Sequence, residues 1–563
     1  MPLRSESLAT LRTQSFDLLI IGGGIVGAGI ARDAAMRGLT VALIEKGDFA
    51  SGTSSKTSKL IHGGLRYLEQ GRLRLVFESL RERDVLRTIA PQFVWPLSLM
   101  IPMYRGDARP PWQMACGLAL YDLLALSHNP SRHRMRSARE ALRSEPKLGS
   151  TALRAAAFYT DCQMDDARLC LANVLQAVRF GAICCNYVKL VALTRANGRI
   201  CGAVVEDART ASQYEVKAAV VVNATGPWAD TIRRLHDRNA GSRLAPTKGI
   251  HLVVPKLLNG ALFFQAKQDR RMLFLLPWGD HSLIGTTESA DIDQLDALHA
   301  TSQEVDYLLA EVNRLVPEAG LTPTDIVASY AGARPLLAFS GSATGASREH
   351  RIEIDPSGFV SVMGGKYTTY RLMAKRALDL IVEQFRLPVR PAGSTGQSRV
   401  KQSVRGAGRR VERCLTDQIS LLEPVQPVVL HRWQDVTRRT PPELLARCLS
   451  AYGVGTFRIL ELLEFEPGLA QPVCPHHEVM QAELVYAMRE ELACTVSDLL
   501  IRRTKIAYSA CQGLDMLSTL TDLLMRYGRA TREELEAQLE DYHRFLASSL
   551  SFRRECLSAH GLQ

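Results

Sequence analysis

The chain has 563 residues, which at about 150 per domain suits three or four domains, or one large α/β unit with an appendage. Its apolar content of 46% allows a large buried core and excludes wholesale disorder, and no run approaches the ~18 consecutive apolar residues of a membrane-spanning helix. Sixty-nine Lys and Arg against 58 Asp and Glu leave +11, which admits an anionic partner (phosphorylated substrate, acidic lipid or nucleic acid) without choosing among them.

In chain order, the opening MPLRSESLATLRTQSF lacks an apolar signal region, which argues against secretion. FDLLII (16–21) reads as a strand buried on both faces, GGGIVGAGIARDAAMRG as a glycine turn opening a helix, and TVALIEK as a second buried strand. This is a β-α-β unit with parallel strands and a right-handed crossover. A Ser/Thr/Gly-rich loop, 51–58, leads into IHGGLRYLE, and residues 72–145 place many arginines around apolar helical stretches such as MACGLALYDLLAL (114–126). A helical pattern over 168–180 precedes an alternating segment that predicts a hairpin turning at Asn197-Gly198. VKAAVVVNATG (216–226) is a buried strand entering a glycine turn, and IHLVVP, MLFLLPW and SLIGTTE within 250–288 predict antiparallel strands. FVSVM (359–363) is a further strand, followed by GGKYTTYR and a helix to about 386. A Pro/Gly/Ser-rich break at 388–400 ends the mixed pattern. Strand signals are nearly absent from 440 onward, which predicts a helical C-terminal domain.

Gly22, Gly24 and Gly27 form G-x-G-x-x-G between strand and helix. The first two allow a tight turn and close approach of a pyrophosphate to backbone N–H groups, and the third lets helix and strand pack. The helix N-terminus adds partial positive charge. Glu45, ending the second strand, is placed for ribose hydroxyls and disfavours NADP, but the motif does not separate FAD from NAD. In 51–67 small hydroxyl residues can lie along an extended cofactor, and His62, Gly63 and Gly64 permit close approach of a flat ring. Arg66 and Tyr67 could reach a substrate. An ordinary surface loop fits the same composition.

These segments resemble a known family. IIGGGIVGAGIARDAAMRG, SGTSSKTSKLIHGGLRYLE, NATGPWAD (223–230), KGIHLVVP (248–255), LLPWGDHSLIGTTE (275–288), AGARPLL (331–337) and GGKYTTYR (364–371) are similar to flavin-linked, quinone-reducing (aerobic-type) glycerol-3-phosphate dehydrogenases. That family sits among oxidoreductases with a D-amino-acid-oxidase-like FAD fold. ELVYAMREELACTVSDLLIRRTK (483–505) resembles its C-terminal domain, so the likeness runs from about 16 to 510. It implies an α/β fold (α+β overall): a Rossmann-type FAD-binding domain with an inserted antiparallel-sheet substrate domain and a C-terminal helical domain. The expected boundaries are 1–392, with substrate segments at about 81–158 and 241–335, and 393–563.

The resemblance further implies FAD as cofactor, held by Gly22, Gly24, Gly27, Glu45, Lys46, Thr53, Ser54, Ser58, His62, Gly63, Gly64, Ala224, Gly226, Gly365 and Thr368. The implied reaction is oxidation of glycerol 3-phosphate to dihydroxyacetone phosphate, with a hydride leaving C2 for FAD and electrons passing to a membrane quinone. Arg66, Tyr67, Arg334, Arg348 and Lys366 match the family's substrate segments, and His251, Lys366 and Arg334 its catalytic ones. Arginine suits a phosphate dianion through its planar fork. Arg334 before a proline also reads as a solvated loop residue, Arg348 as a surface ion pair, and His251 at the head of an apolar strand as a structural histidine. His251 is the best base by its titration range, with Lys366 the rival.

Twelve cysteines without a C-x-x-C or a compact framework predict reduced, mostly buried thiols and no metal. Cys184-Cys185 reads as core packing, and Cys474 beside His476-His477 as a surface loop. The resemblance implies a peripheral protein on the inner face of the cytoplasmic membrane, touching its anionic surface, and leaves room for a homodimer. Two segments carry the needed basic residues: 105–139, with Arg105, Arg109, Arg132, Arg134, Arg136 and Arg139 around the apolar 114–126, and Arg405, Arg409, Arg410 and Arg413. Two alternatives remain: an oxidase using O₂, and an RNA-binding flavoprotein. Low aromatic content (6%) and the absence of a nucleic-acid module disfavour the second, and no nucleic-acid partner is expected.

Overall fold

A computed structural model describes residues 4–126, 128–338, 349–387, 413–423 and 440–553. The expectations for Arg348, for Arg405, Arg409 and Arg410, and for the break at 388–400 lie outside the described residues.

Two large sheets make the body of the molecule; among the described residues one has eight strands and the other nine. In the first, Ser15–Ile21 lies parallel between Ser212–Asn223 and Val41–Ile44, with Leu18 opposite Val220 and Val41. Val360–Gly364 and Ile183–Cys185 extend it in parallel on either side. Strands covered on both faces carry continuous apolar sequence, and Val41–Ile44 is buried at every position. The helix Ile25–Met36 covers one face, its alanines and Gly29 allowing close approach to the helices Asp166–Arg179 and Tyr370–Phe385. The hairpin turning at Asn197-Gly198 forms as expected from Val188–Ala196 and Arg199–Asp207.

The second sheet runs Ala328–Arg334, Thr247–Pro255, His281–Gly285, Met272–Trp278, Ala261–Gln265, Val94–Tyr104, Leu153–Met164 and Leu60–Ile61. Its pairs are antiparallel except Ala261–Gln265 with Val94–Tyr104. The strands Val94–Tyr104 and Leu153–Met164 are not evident from the sequence. The first is largely apolar but contains Pro96 and Pro102, the second mixes apolar residues with Arg154, Asp161 and Gln163, and both lie among arginine-rich helical neighbours. The inserted antiparallel sheet is nevertheless the architecture expected. Arg334, read as a loop residue, ends a strand: its segment pairs with Thr247–Pro255, Thr247 lying opposite Arg334.

Beyond residue 440 the chain is mainly helical, through Pro442–Tyr452, Thr456–Phe465, Gln481–Glu490, Leu517–Gly528 and Arg532–Ser549. One departure is a hairpin of Pro472–Cys474 and His477–Met480, where two prolines bar a helix. Ion pairs bind this domain to the first: a buried one from Arg168 to Glu491 at 2.6 Å and a partly exposed one from Lys505 to Asp165 at 2.5 Å.

Candidate active site

Between the two sheets lies a cavity of about 1100 Å³ that begins at the C-terminal end of Ser15–Ile21, where ligands of open α/β sheets bind. Gly22 takes φ +108°, and a Cβ there would stand 2.7 Å from the Ala224 carbonyl oxygen. A Cβ on Gly27 would stand 1.9 Å from the Gly22 carbonyl oxygen, so Gly27 closes the turn and does not line the cavity. Gly24 differs. It borders the cavity as residue before the helix, and the nearest atom to its Cβ would be Ser54 Oγ at 3.2 Å. Its open side is the space a pyrophosphate needs. Glu45 accepts from the N–H groups of Gly23 at 2.7 Å and Gly47 at 2.9 Å, which shape the turn. Burial raises its pKa and those two bonds oppose the shift.

The hydroxyl-rich loop follows the cavity wall. Ser54 Oγ accepts from Ile25 N–H at 2.9 Å, and Thr53 Oγ1 donates to the Ala333 carbonyl at 2.7 Å, tying the loop to the second sheet. Ser58, His62, Gly64, Ala224, Gly226, Gly365 and Thr368 line the same space. Thr368 Oγ1 accepts from His62 N–H at 3.2 Å. Gly63 faces the other way, its N–H donating to Tyr121 Oη at 2.9 Å. Lys46 stands at the mouth, 2.6 Å from Asp296 and over the Trp228 ring.

At the second-sheet end, His251 is 3% exposed and stacks on Tyr330 with centroids 4.9 Å apart, and its Nε2 lies 2.8 Å from Ser58 Oγ. Burial, then Arg334 and Lys59, drive its pKa well below the ordinary histidine value, so the ring is neutral. It sits mid-strand in Thr247–Pro255. Arg334 Nη2 donates to Thr286 Oγ1 at 2.8 Å and to the Thr287 carbonyl at 3.0 Å, which aims the guanidinium at the cavity edge. Lys366 Nζ lies over the Tyr67 ring, 3.8 Å from its centroid, and donates to Ser79 Oγ at 3.2 Å. Arg66 is exposed at the rim.

Sequence reasoning missed several lining groups. Lys56 has its pKa lowered by burial and then by Arg502. Arg271 pairs with Asp269 at 3.0 Å, and Thr286 and Thr287 orient Arg334. Lys56 stands in the quoted SSKTSK run, and its position was the available signal; Arg271 carries none.

The chain matches the family model described as "FAD dependent oxidoreductase" over residues 17–371, and "C-terminal domain of alpha-glycerophosphate oxidase" over 414–544. It belongs to the FAD-dependent oxidoreductases. Within them it falls in the glycerol-3-phosphate dehydrogenase family. It is 35% identical to the "Glycerol-3-phosphate dehydrogenase" of Synechocystis over 95% of this chain and 97% of that protein. With the "Aerobic glycerol-3-phosphate dehydrogenase" of Bacillus subtilis it shares 34% identity over 89% of each. The structure of the Bacillus halodurans glycerol-3-phosphate dehydrogenase complexed with FAD superposes with a TM-score of 0.76, at 26% identity and 97% coverage of both chains. FAD is the cofactor, and the open face of Gly24 together with a cavity long enough to join both sheets fits it.

Proposed function

We propose that this enzyme oxidises sn-glycerol 3-phosphate to dihydroxyacetone phosphate and passes the electrons to a membrane quinone. The names of the relatives support the substrate. The observation that carries the site assignment is a neutral, buried His251 lining the same cavity end as Arg334, with Lys366 and Arg66 also on the cavity wall. FAD, when bound, supplies the two-electron acceptor.

The residues of this chain then have separable tasks. Arg334, held by Thr286, Thr287 and the Lys248 carbonyl, lines the cavity with a guanidinium suited to the phosphate dianion, with Arg66 at the rim and Tyr67 beside the ammonium of Lys366. His251 takes the C2 hydroxyl proton; Ser58 Oγ lines the cavity and is 2.8 Å from Nε2, within reach to relay it. Lys366, in the turn before Tyr370–Phe385, adds positive charge where reduction builds negative charge. Gly22, Gly24, Glu45 and the 51–58 loop orient the cofactor.

The membrane part of the proposal rests on the helix Pro111–Leu124. It buries Leu118 and Tyr121 but leaves Trp112 70% and Leu123 68% exposed, with Leu120 and Leu126 exposed beside them. Arg105 before it in the chain and Arg132, Arg134 and Arg139 after it are exposed. Among the described residues no helix is long and apolar enough to cross a membrane. Exposed apolar residues flanked in sequence by exposed arginines support interfacial attachment to the anionic inner face of the cytoplasmic membrane.

The test is anaerobic addition of glycerol 3-phosphate to the yellow protein, which should bleach the flavin and yield dihydroxyacetone phosphate. A quinone analogue should then restore the colour. The description of the family matched over 414–544 favours a second reading, an oxidase, which stoichiometric peroxide in air without quinone would establish instead.

A further inference from the structure

Away from the cavity, a cluster of soft ligands joins two segments of the C-terminal domain. Pro472–Cys474 and His477–Met480 pair as a hairpin with Cys474 opposite His477, so C-x-x-H across the turn brings Cys474 Sγ to 2.9 Å from His477 Nδ1. Cys511 arrives from a turn 34 positions beyond His477, its Sγ 3.9 Å from the same nitrogen. The three ligand atoms all lie within 4.8 Å of one another. Zn–S bonds of about 2.3 Å and Zn–N bonds of about 2.0–2.1 Å set tetrahedral ligand-to-ligand edges near 3.5–3.8 Å. The two observed separations straddle that range, so shifts below about 1 Å would seat an ion.

The surroundings fit thiolates. Gly513, at φ +68°, directs its N–H to Cys511 Sγ at 3.4 Å, and Ser509 Oγ lies 3.4 Å from the same sulfur. Such contacts orient and stabilise metal-bound sulfur. Cys474 is buried, whereas His477 and Cys511 are half-buried, which leaves an entry path. Asp515, whose carboxylate lies 3.7 Å from His476 Nε2, stands outside the three-ligand group, which leaves the fourth position to water.

We propose that Cys474, His477 and Cys511 bind one zinc-class ion, which fastens the hairpin 472–480 to the turn 509–516. On binding, each thiol releases its proton to solvent as a metal–sulfur bond forms, so two thiolates offset the +2 charge of the ion. The fastened turn lies next to the substrate sheet. Gln512 Nε2 donates to the Val327 carbonyl at 3.1 Å, and Tyr508 packs edge-on to Tyr330, the ring on which His251 stacks. The ion is therefore a structural brace between the C-terminal domain and the strand behind His251.

The experiment uses full-length, FAD-loaded protein, reduced, freed of metal with a chelator, and titrated with Zn²⁺ and with Co²⁺. The expected result is about one ion per chain, with Co²⁺ giving a thiolate-to-cobalt charge-transfer band. Cys511→Ser and His477→Ala should each abolish the band and cut retained zinc to under about a tenth of an ion per chain, while Cys201→Ser keeps both. Should those variants not fold, alkylation of the wild-type protein decides: bound Zn²⁺ should protect Cys474 and Cys511 and leave Cys201 reactive. Failure to bind either ion, a Co²⁺ band that survives Cys511→Ser, or equal alkylation of Cys474 and Cys511 with and without Zn²⁺ would overturn the proposal. So would a Cys474–Cys511 disulfide whose reduction restores no metal binding.

Discussion

Arg503 Nη1 donates to Asp48 Oδ2 at 2.7 Å, across 455 positions of chain, with both side chains almost fully buried. Arg502 Nε donates to the same oxygen at 2.5 Å and also reaches Asp498. Asp48 lies between Glu45 and the 51–58 loop, so the C-terminal domain grips the segment that shapes the cofactor end of the cavity.

Asp48→Asn should therefore loosen cofactor and domain together. Removing one partner of a buried pair strands the other charge, at a cost of about 3–5 kcal/mol. Burial alone would raise the Asp48 pKa, but Arg503 and Arg502 outweigh it and hold the carboxyl below the ordinary aspartate range. A carboxyl with a depressed folded pKa contributes stability that is fully present above its unfolded pKa, about 3.9, and is lost as pH falls below it. Thermal melts followed by flavin fluorescence should show lower Tm in Asp48→Asn at pH 7, and a smaller gap from the wild type as the pH is taken below about 4. A constant gap down to the lowest pH at which both fold would remove Asp48 from that role.

Gly24 and Gly27 should separate binding from folding. Gly27→Ala drives a Cβ into the Gly22 carbonyl oxygen and should yield little soluble protein. In Gly24→Val the branched side chain reaches into the pyrophosphate space, so the protein should fold but purify colourless. Circular dichroism with the ratio of flavin to protein absorbance checks both, and full FAD content in Gly24→Val would contradict the cradle.

The exposed face of Pro111–Leu124 gives a third prediction. Trp112→Ser combined with Leu123→Ser removes two large apolar groups from solvent-facing positions, so the fold should keep its Tm to within a few degrees. If those groups insert into the interface, worth about 1.5–3 kcal/mol each when fully buried, sedimentation with anionic vesicles should weaken by at least about tenfold. Unchanged sedimentation would move the contact elsewhere.

How much of this was legible depends on how local each feature is. The FAD unit is written within some 30 residues: strand, Gly22-x-Gly24-x-x-Gly27, helix, strand, Glu45. Each step imposes its own pattern, and the observed parallel neighbours follow from it. The strand Val94–Tyr104 was not legible because its two prolines and largely apolar sequence carry no period of two. Arg334 looked like a loop residue because the proline after it marks only where the strand stops. Long-range meetings leave no local trace at all. Asp48 with Arg503, and Cys511 with the Cys474–His477 hairpin, are set by how two domains or two turns pack, not by any spacing along the chain.

The last prediction separates phosphate recognition from proton removal. Arg334 is already committed at Nη2 to Thr286 and Thr287, so its position is held by the sheet and its loss should not reorganise the cavity. If it holds the phosphate in ground and transition states alike, Arg334→Ala should mainly raise KM for glycerol 3-phosphate. A lost charge-assisted contact costs about 2–4 kcal/mol, a fall of about 30- to 1000-fold in kcat/KM. Free glycerol has no phosphate, so its slow turnover should scarcely change. His251→Gln should instead slow flavin reduction with both substrates, by about 10²- to 10⁴-fold if it takes the hydroxyl proton. Burial, with Arg334 and Lys59 adding to it, holds the folded His251 pKa well below 6.5. The base is thus unprotonated across neutral pH, and wild-type flavin reduction should show no acid limb from His251 between about pH 6 and 8. Anaerobic stopped-flow bleaching of both variants with both substrates is the measurement. Equal slowing of glycerol and glycerol 3-phosphate in Arg334→Ala would dismiss Arg334 as a phosphate ligand, and unimpaired bleaching in His251→Gln would pass the proton to Lys366.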